Sequence, residues 1–419
     1  MKTNPLIEIC FAESTQAMTL QLGVIGGSLN SAVGRTHQIA AEMDNHWEIT
    51  AGCFSRNAST NQATARQLRI PESRNYRDWR ELLESEQGQL SAVAVLTPTP
   101  SHAEIICHAL DLGYPVISEK ALTSSVEDGE QIIKAGEACN GFLTVTYNYS
   151  GYPLVRELRN LIRAGRLGTL LHVQAEMPQE GFLRLVGREN RPPEPQPWRL
   201  QDYEIPTVSL DLGVHLHQLI LFLTDRHALQ VCATQQNTGF FAGIVDSVQC
   251  LARYNEGFTA NLWYGKCALG CTNGLRIRIF GSQGSAEWYQ QNPEELRLHD
   301  NLGGMQILTR ASNQAEICCE GRYGRFKAGH PSGFIEAFAN YYADVADALQ
   351  HGRGASPRHE YLATAEDAVE GLRMMAAINR SAESGQWESV WETARSHGSF
   401  PSKTGRDESV MPFVMQSTI

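Results

Sequence analysis

Between residues 20 and 147, segments patterned as strands alternate with segments patterned as helices, and the alternation is never broken. Residues 20–25 read as a buried strand, Gly26, Gly27 and Ser28 as a tight turn, and residues 32–43 as a helix. Further strands are expected at 47–54, 92–96, 115–118 and 142–147, with helices at 59–68, 78–83, 102–112 and 125–138. Alternating units of this kind bury both faces of each strand only in a parallel sheet covered by helices on either side, so the pattern predicts an α/β fold with a doubly wound sheet.

The pattern changes near residue 150. A helix at 153–164, a strand at 169–177 and a loop rich in Pro and Arg at 187–197 lead to a helix at 211–223. Strands at 227–234, 247–254, 259–264, 275–280, 285–289 and 295–298 then follow with short connections, which predicts a large, mainly antiparallel open sheet in a second, α+β domain. Helices are expected at 333–350 and 361–381. The expected division is an extension at 1–17, a doubly wound α/β domain at 18–148, a second α/β domain at 149–398 and a tail at 399–419.

The chain carries 35 Lys and Arg against 46 Asp and Glu, a formal charge of −11, which disfavours nucleic acid as a partner. No apolar run reaches bilayer-spanning length, and the first residues lack the continuous apolar core of a secretory signal, so a cytoplasmic protein without a membrane partner is expected. Ten scattered cysteines in a chain large enough to fold without crosslinks predict free thiols, and no second pair stands at zinc-ligand spacing, so no metal is expected.

A strand that runs through closely spaced glycines into a helix brings backbone N–H groups and the positive helix end to a pyrophosphate. Gly23, Gly26, Gly27 and Gly34 take these places, although Ser28 occupies the second position of the usual glycine pattern and Gly34 comes about three residues late. The turn predicts a Rossmann domain that binds NAD or NADP. The second strand ends in Phe54, Ser55 and Arg56 with no acid, which tilts the choice toward NADP because a cation suits a 2′-phosphate. Arg56 can equally stack on adenine, so the choice stays open.

Three further segments carry a family resemblance. Thr97, Pro98 and His102 follow the third strand, Glu119-Lys120-Ala121 follows the fourth, and Asp211-Leu212-Gly213-Val214-His215 opens a helix of the second domain. Together with Ile277–Ser285 and the segment Thr146-Tyr147-Asn148-Tyr149, they resemble the glucose-fructose oxidoreductase and inositol dehydrogenase family, Gfo/Idh/MocA, from about residue 20 to 381.

The resemblance implies a nicotinamide-dependent dehydrogenase that moves hydride to or from a ring hydroxyl of a sugar, sugar derivative or cyclitol. It implies that Gly26, Gly27, Ser28, Gly34, Ser55, Arg56, Thr97, Pro98, His102, Glu119 and Lys120 line the cofactor. Lys120 matches the lysine of the family's Glu-Lys-Pro motif, with Ala121 in place of the proline, and an amine there suits proton exchange with a hydroxyl. His215 would be the general base, and Asp211, four residues earlier, would orient it or bind a neighbouring hydroxyl. Tyr147, Asn148, Tyr149, Trp198, Arg199 and Gln218 are expected at the substrate; Gln218 replaces an Asp or His usual in the family. A homodimer or homotetramer is expected on the same ground. Two other functions remain compatible: a glycosidase that oxidises, eliminates and re-reduces its sugar on bound NAD, and a non-catalytic sensor of the cofactor.

Overall fold

The amino-terminal strands are short and apolar on both sides, as the complete burial of Ala92–Leu96 illustrates. In the computed structural model, which describes residues 19–351 and 360–391, this half runs β1 (Leu20–Gly26), α1 (Ala32–Glu42), β2 (Trp47–Cys53), α2 (Ala58–Gln67), α3 (Trp79–Ser85), β3 (Ala92–Leu96), α4 (His102–Asp111), β4 (Val116–Glu119), α5 (Val126–Cys139) and β5 (Leu143–Thr146). The strands form one parallel sheet in the order β2-β1-β3-β4-β5. A sixth strand is reduced to a single parallel bridge from Gly52 to Asn75. Strand order reverses between β1 and β3, and the crevice beyond their carboxyl ends is where such sheets bind ligands.

The second half runs α6 (Pro153–Arg163), β6 (Leu170–Pro178), α7 (Val214–Thr224), β7 (Ala228–Gln236), β8 (Ser247–Tyr254), β9 (Thr259–Gly265), β10 (Arg276–Gly281), β11 (Gly284–Tyr289), β12 (Leu296–Asp300), β13 (Met305–Leu308), α8 (Phe334–His351), α9 (Ala365–Ser384) and β14 (Glu388–Ser389). Nine strands make one sheet in the order β13-β12-β11-β10-β6-β9-β8-β7-β14, antiparallel except for the central β6-β9 pair. Burial alternates strictly along β8 and β9: Val248, Cys250, Ala252, Ala260 and Leu262 pack inward while Leu251 and Trp263 are exposed on the opposite, uncovered face. The short β13 and β14 escape a sequence reading because neither is long enough to show a period.

Two departures from the expected elements matter for the site. The helix expected over residues 211–223 begins as a π-helical turn, Ser209–Gly213, and becomes α-helical only at Val214. Gly213 permits this, since a Cβ there would lie 2.4 Å from the Met375 sulfur and 2.8 Å from the Tyr264 ring. Second, α8 follows the nine-stranded sheet in sequence but packs on the first one: Phe338, Tyr341, Tyr342 and Val345 share a core with Leu22, Trp47, Ala92 and Ala94. The first domain therefore takes a helix from far beyond residue 148. The expected extension at 1–17 and tail at 399–419 lie outside the described residues.

Arg156 of α6 ties α8 to the second domain. It is fully buried and pairs with Asp344 of α8, while its Nη1 donates to the Tyr323 hydroxyl at 2.8 Å. Arg322 adds a second cation to Asp344. Asp344→Ala should cost about 3–5 kcal/mol by leaving Arg156 buried without its counter-charge. Denaturant unfolding would measure the loss, and a change below about 1 kcal/mol would mean that the pair behaves like an exposed one.

Candidate active site

The carboxyl ends of β1, β3 and β4 meet at the crevice. Gly26 and Gly27 adopt φ of +88° and +65°, and a Cβ on Gly26 would lie 2.7 Å from the backbone of Leu96 and Thr97. Gly34, in the first turn of α1, approaches so closely that its Cβ would meet Gly27 Cα at 2.4 Å. The late third glycine thus performs the close-packing role despite the altered spacing. Ser31 caps α1 by accepting from the Gly34 N–H at 3.0 Å, and the positive end of the helix beside the glycine turn suits a pyrophosphate. These residues fit a dinucleotide. Ser28 lies in the turn, and Ser55 and exposed Arg56 follow β2, at the place where the adenosine ribose of such a ligand is read.

Thr97 and Pro98 flank the same crevice, with the Thr97 hydroxyl accepting from Ser101 Oγ at 2.9 Å. His102 is wholly buried, its Nε2 lies 2.7 Å from the Thr97 carbonyl and its Nδ1 3.1 Å from those of Ala121 and Leu122, so it braces the two loops from behind. Glu119 likewise serves the protein: its carboxylate is 2.9 Å from His37 Nε2, whose Nδ1 is 2.8 Å from the Tyr342 hydroxyl of α8. The next peptide, Lys120–Ala121, is cis.

Lys120 reaches across to the second domain. Its Nζ donates to the Asp211 carbonyl at 2.7 Å and to Asp211 Oδ1 at 3.0 Å, inside the π-helical turn. The other carboxylate oxygen accepts from Lys266 Nζ at 2.6 Å and from Arg199. Although burial alone would raise it, the three cations Lys266, Lys120 and Arg199 hold the Asp211 carboxyl well below the usual carboxylate range. No hydrogen bond joins Asp211 to His215, so the carboxylate orients Lys120 and not the imidazole; Oδ2 accepts from two cations and Oδ1 from one.

His215 stands one turn further on, 6% exposed, with its ring edge-on to Tyr147 and Tyr149 at centroid distances of 5.9 and 4.9 Å. Burial foremost, then the Lys120 charge, pushes its pKa well below the ordinary histidine value, opposed by Asp211. Neutral imidazole is thus the resting form, which is the form a proton acceptor needs. Its Nδ1 is buried without a partner, as are Asn148 Nδ2 and Gln218 Oε1 on the adjoining segments. Tyr147, Asn148 and Tyr149 are all buried, and Tyr149 shares a hydrogen bond with Asn273, which also accepts from Gln179 at 2.8 Å. Gln218 is buried within α7 and makes no side-chain hydrogen bond among the described residues. Trp198 lines the pocket with Lys120, Tyr203, Thr207 and Asp211, and the Arg199 guanidinium lies 4.4 Å from its ring centre.

The sequence reading missed Lys266, which directly follows β9 and meets Asp211 from the sheet side. Its sequence neighbours carry no motif that marks it. The chain's lysines are Lys2, Lys120, Lys134, Lys266, Lys327 and Lys403, and of these Lys120 and Lys266 meet on Asp211. Among the described residues all cysteines are free, no cluster of three or more His, Cys, Asp or Glu is placed to hold a metal, and no helix is long and apolar enough to cross a membrane.

Residues 20–147 match the oxidoreductase family with an NAD-binding Rossmann fold, and residues 155–287 match the GFO/IDH/MocA C-terminal domain. The chain belongs to the Gfo/Idh/MocA family of NAD-binding oxidoreductases, in which the neighbouring enzymes are sugar and cyclitol dehydrogenases. The uncharacterized oxidoreductase YfiI of Bacillus subtilis (strain 168) is 29% identical over 89% of this chain and 96% of its own length. An oxidoreductase crystal structure from Sinorhizobium meliloti is 30% identical with a TM-score of 0.77, covering 88% of this chain and 99% of that one. An inositol dehydrogenase homolog from Azotobacter vinelandii, solved with NADH and myo-inositol, is 28% identical with a TM-score of 0.79 over 89% of this chain and 98% of that one.

The depressed histidine sets the expected pH profile. Activity that needs neutral His215 should persist as pH falls through 6.5 and decline only well below it. A fall in kcat/KM centred at or above 6.5 would show that His215 is not the group being protonated.

Proposed function

We propose that the protein is an NAD(P)-dependent dehydrogenase of a ring hydroxyl on a sugar, sugar derivative or cyclitol. The observation that carries this reading is the Lys120–Asp211 pair joining the nucleotide-binding sheet to the turn that presents His215. Both domains must supply a member for the site to exist. When bound, the nicotinamide supplies the acceptor for the hydride leaving the carbinol carbon.

The chain's residues handle the rest. Neutral His215 accepts the hydroxyl proton as the carbonyl forms, and returns it in the reverse direction. Lys120, fixed by Asp211, donates a hydrogen bond to the same oxygen and stabilises the negative charge that develops there. Tyr149 with Asn273, and the unpartnered amides of Asn148 and Gln218, suit the remaining hydroxyls of a polyol, since buried polar groups without protein partners are commonly completed by ligand or water. Arg56 favours NADP over NAD, and the exposed Leu251, Trp263 and Phe280 of the open sheet face support a homo-oligomer.

The test is reduction of NAD or NADP, followed at 340 nm, over a panel of cyclitols, aldoses and sugar acids. His215→Asn should lower kcat about 100- to 10,000-fold, the range for loss of a general base. A variant that keeps more than a tenth of the rate would remove His215 from that role. Arg56→Ala should weaken NADPH binding about tenfold while leaving NADH nearly unchanged, a loss on the scale of one charge-assisted contact; equal effects on both would show that Arg56 does not read the 2′-phosphate.

A further inference from the structure

Three cations converge on one carboxylate at this site. Lys120 Nζ is 3.0 Å from Asp211 Oδ1, Lys266 Nζ is 2.6 Å from Oδ2, and Arg199 bonds the same Oδ2. Lys266 is 7% exposed, so its charge cannot be dispersed into water. The other acids nearby are committed elsewhere. Asp246, whose carbonyl accepts from the Lys266 backbone, has its carboxylate filled by the N–H groups of Thr238 and Gly239 and by Asn237. Glu180 holds Arg184 and the Gly270 N–H, and Glu119 holds His37. With His215 neutral, the three cations bonded to Asp211 exceed its single negative charge by two, and the Asp246 carboxylate, bonded only by neutral donors, makes no ion pair with any of them. Burial foremost, and then the Arg199 and Lys120 charges, lower the Lys266 pKa, opposed by Asp211.

Donor capacity is in surplus too. An ammonium group has three N–H donors and a guanidinium five. Lys266 spends one on Asp211 and lies 5.5 Å from the Phe182 ring centre, and Arg199 makes one side-chain bond to Asp211, with no other hydrogen-bond acceptor for either side chain among the described residues. Lys120 and His215 already account for the proton chemistry at a carbinol. A neutral polyol asks for no further cation.

We infer that Lys266 and Arg199 form an anion-recognising pair, and that the substrate is a sugar or cyclitol bearing a carboxylate or phosphate, which takes their unused donors. This rests on the dehydrogenase reading above. Arg199, stacked beside Trp198 after the proline-rich segment, approaches from the loop side while Lys266 is fixed at the end of β9. The two therefore clasp an anionic group between a rigid and a peripheral contact.

Nicotinamide binding to the full-length protein is titrated first by fluorescence. The protein saturated with the reduced cofactor is then titrated calorimetrically with D-glucose, D-glucuronate and D-glucose 6-phosphate. An acid should bind about tenfold or more tightly than glucose, the scale of one added charge-assisted contact, and which acid gains separates carboxylate from phosphate. The preference should shrink toward one in Lys266→Met and in Arg199→Ala, survive in Lys266→Arg, and weaken with added salt. Arg199 lies on a partly exposed loop segment, so its variant guards against a Lys266 variant that fails to fold. Equal binding of glucose and both acids, a preference untouched by both substitutions, or no binding of either acid by the cofactor-loaded protein overturns the inference. Failure of every nicotinamide to bind overturns the dehydrogenase reading itself, and is read in the first titration.

Discussion

The attraction between Asp211 and the ammonium of Lys120 is the contact around which the catalytic half of the molecule is arranged. Lys120 is delivered by the fourth strand of the parallel sheet and Asp211 by the turn in front of α7, so one ion pair registers two independently built layers against each other. Its position explains the widened turn. A π-helical segment displaces Asp211 relative to an ideal α-helix, and such segments occur disproportionately at functional sites because they re-aim a side chain without ending the helix. Gly213 makes the displacement possible by letting the backbone settle against Met375 and Tyr264.

That arrangement also separates two duties that a simple four-residue spacing would have merged. The carboxylate is bonded by three cations, and the imidazole is held by aromatic edges and burial. The first sets where positive charge lies at the reacting oxygen; the second keeps a proton acceptor uncharged. A partly buried cation next to a buried histidine reinforces the division, because the Lys120 charge opposes protonation of the ring.

Much of this was legible in the residue order. Unbroken alternation to Tyr147 required a parallel sheet, and Gly26, Gly27 and Gly34 could be placed because backbone conformation and close packing leave little choice at such turns. Lys120, Asp211 and His215 were recognisable through their motifs. What escaped depended on long-range geometry. Lys266 lies 55 residues from Asp211, and nothing in its own neighbourhood reveals that partner. His102 sits in a motif that resembles a ligand contact, yet its ring is enclosed by three carbonyls whose convergence only the folded loops create. The π-helical turn was invisible because apolar periodicity cannot distinguish one wider turn within a buried helix.

The docking of α8 bears on how the chain is made. Leu22, Val24, Ala92 and Ala94 share their core with Phe338, Tyr341, Tyr342 and Val345. As the polypeptide leaves the ribosome, the nucleotide-binding sheet is complete in strands once β5 has emerged, but the face that α1 shares with α8 lacks α8 until the strands through β13 have followed. Synthesis therefore passes through a long interval with a finished sheet and an unfinished core, the kind of exposed apolar surface that engages chaperones. The two halves are separable as sheets but not as folding units, and neither reaches its final form before the other has been made.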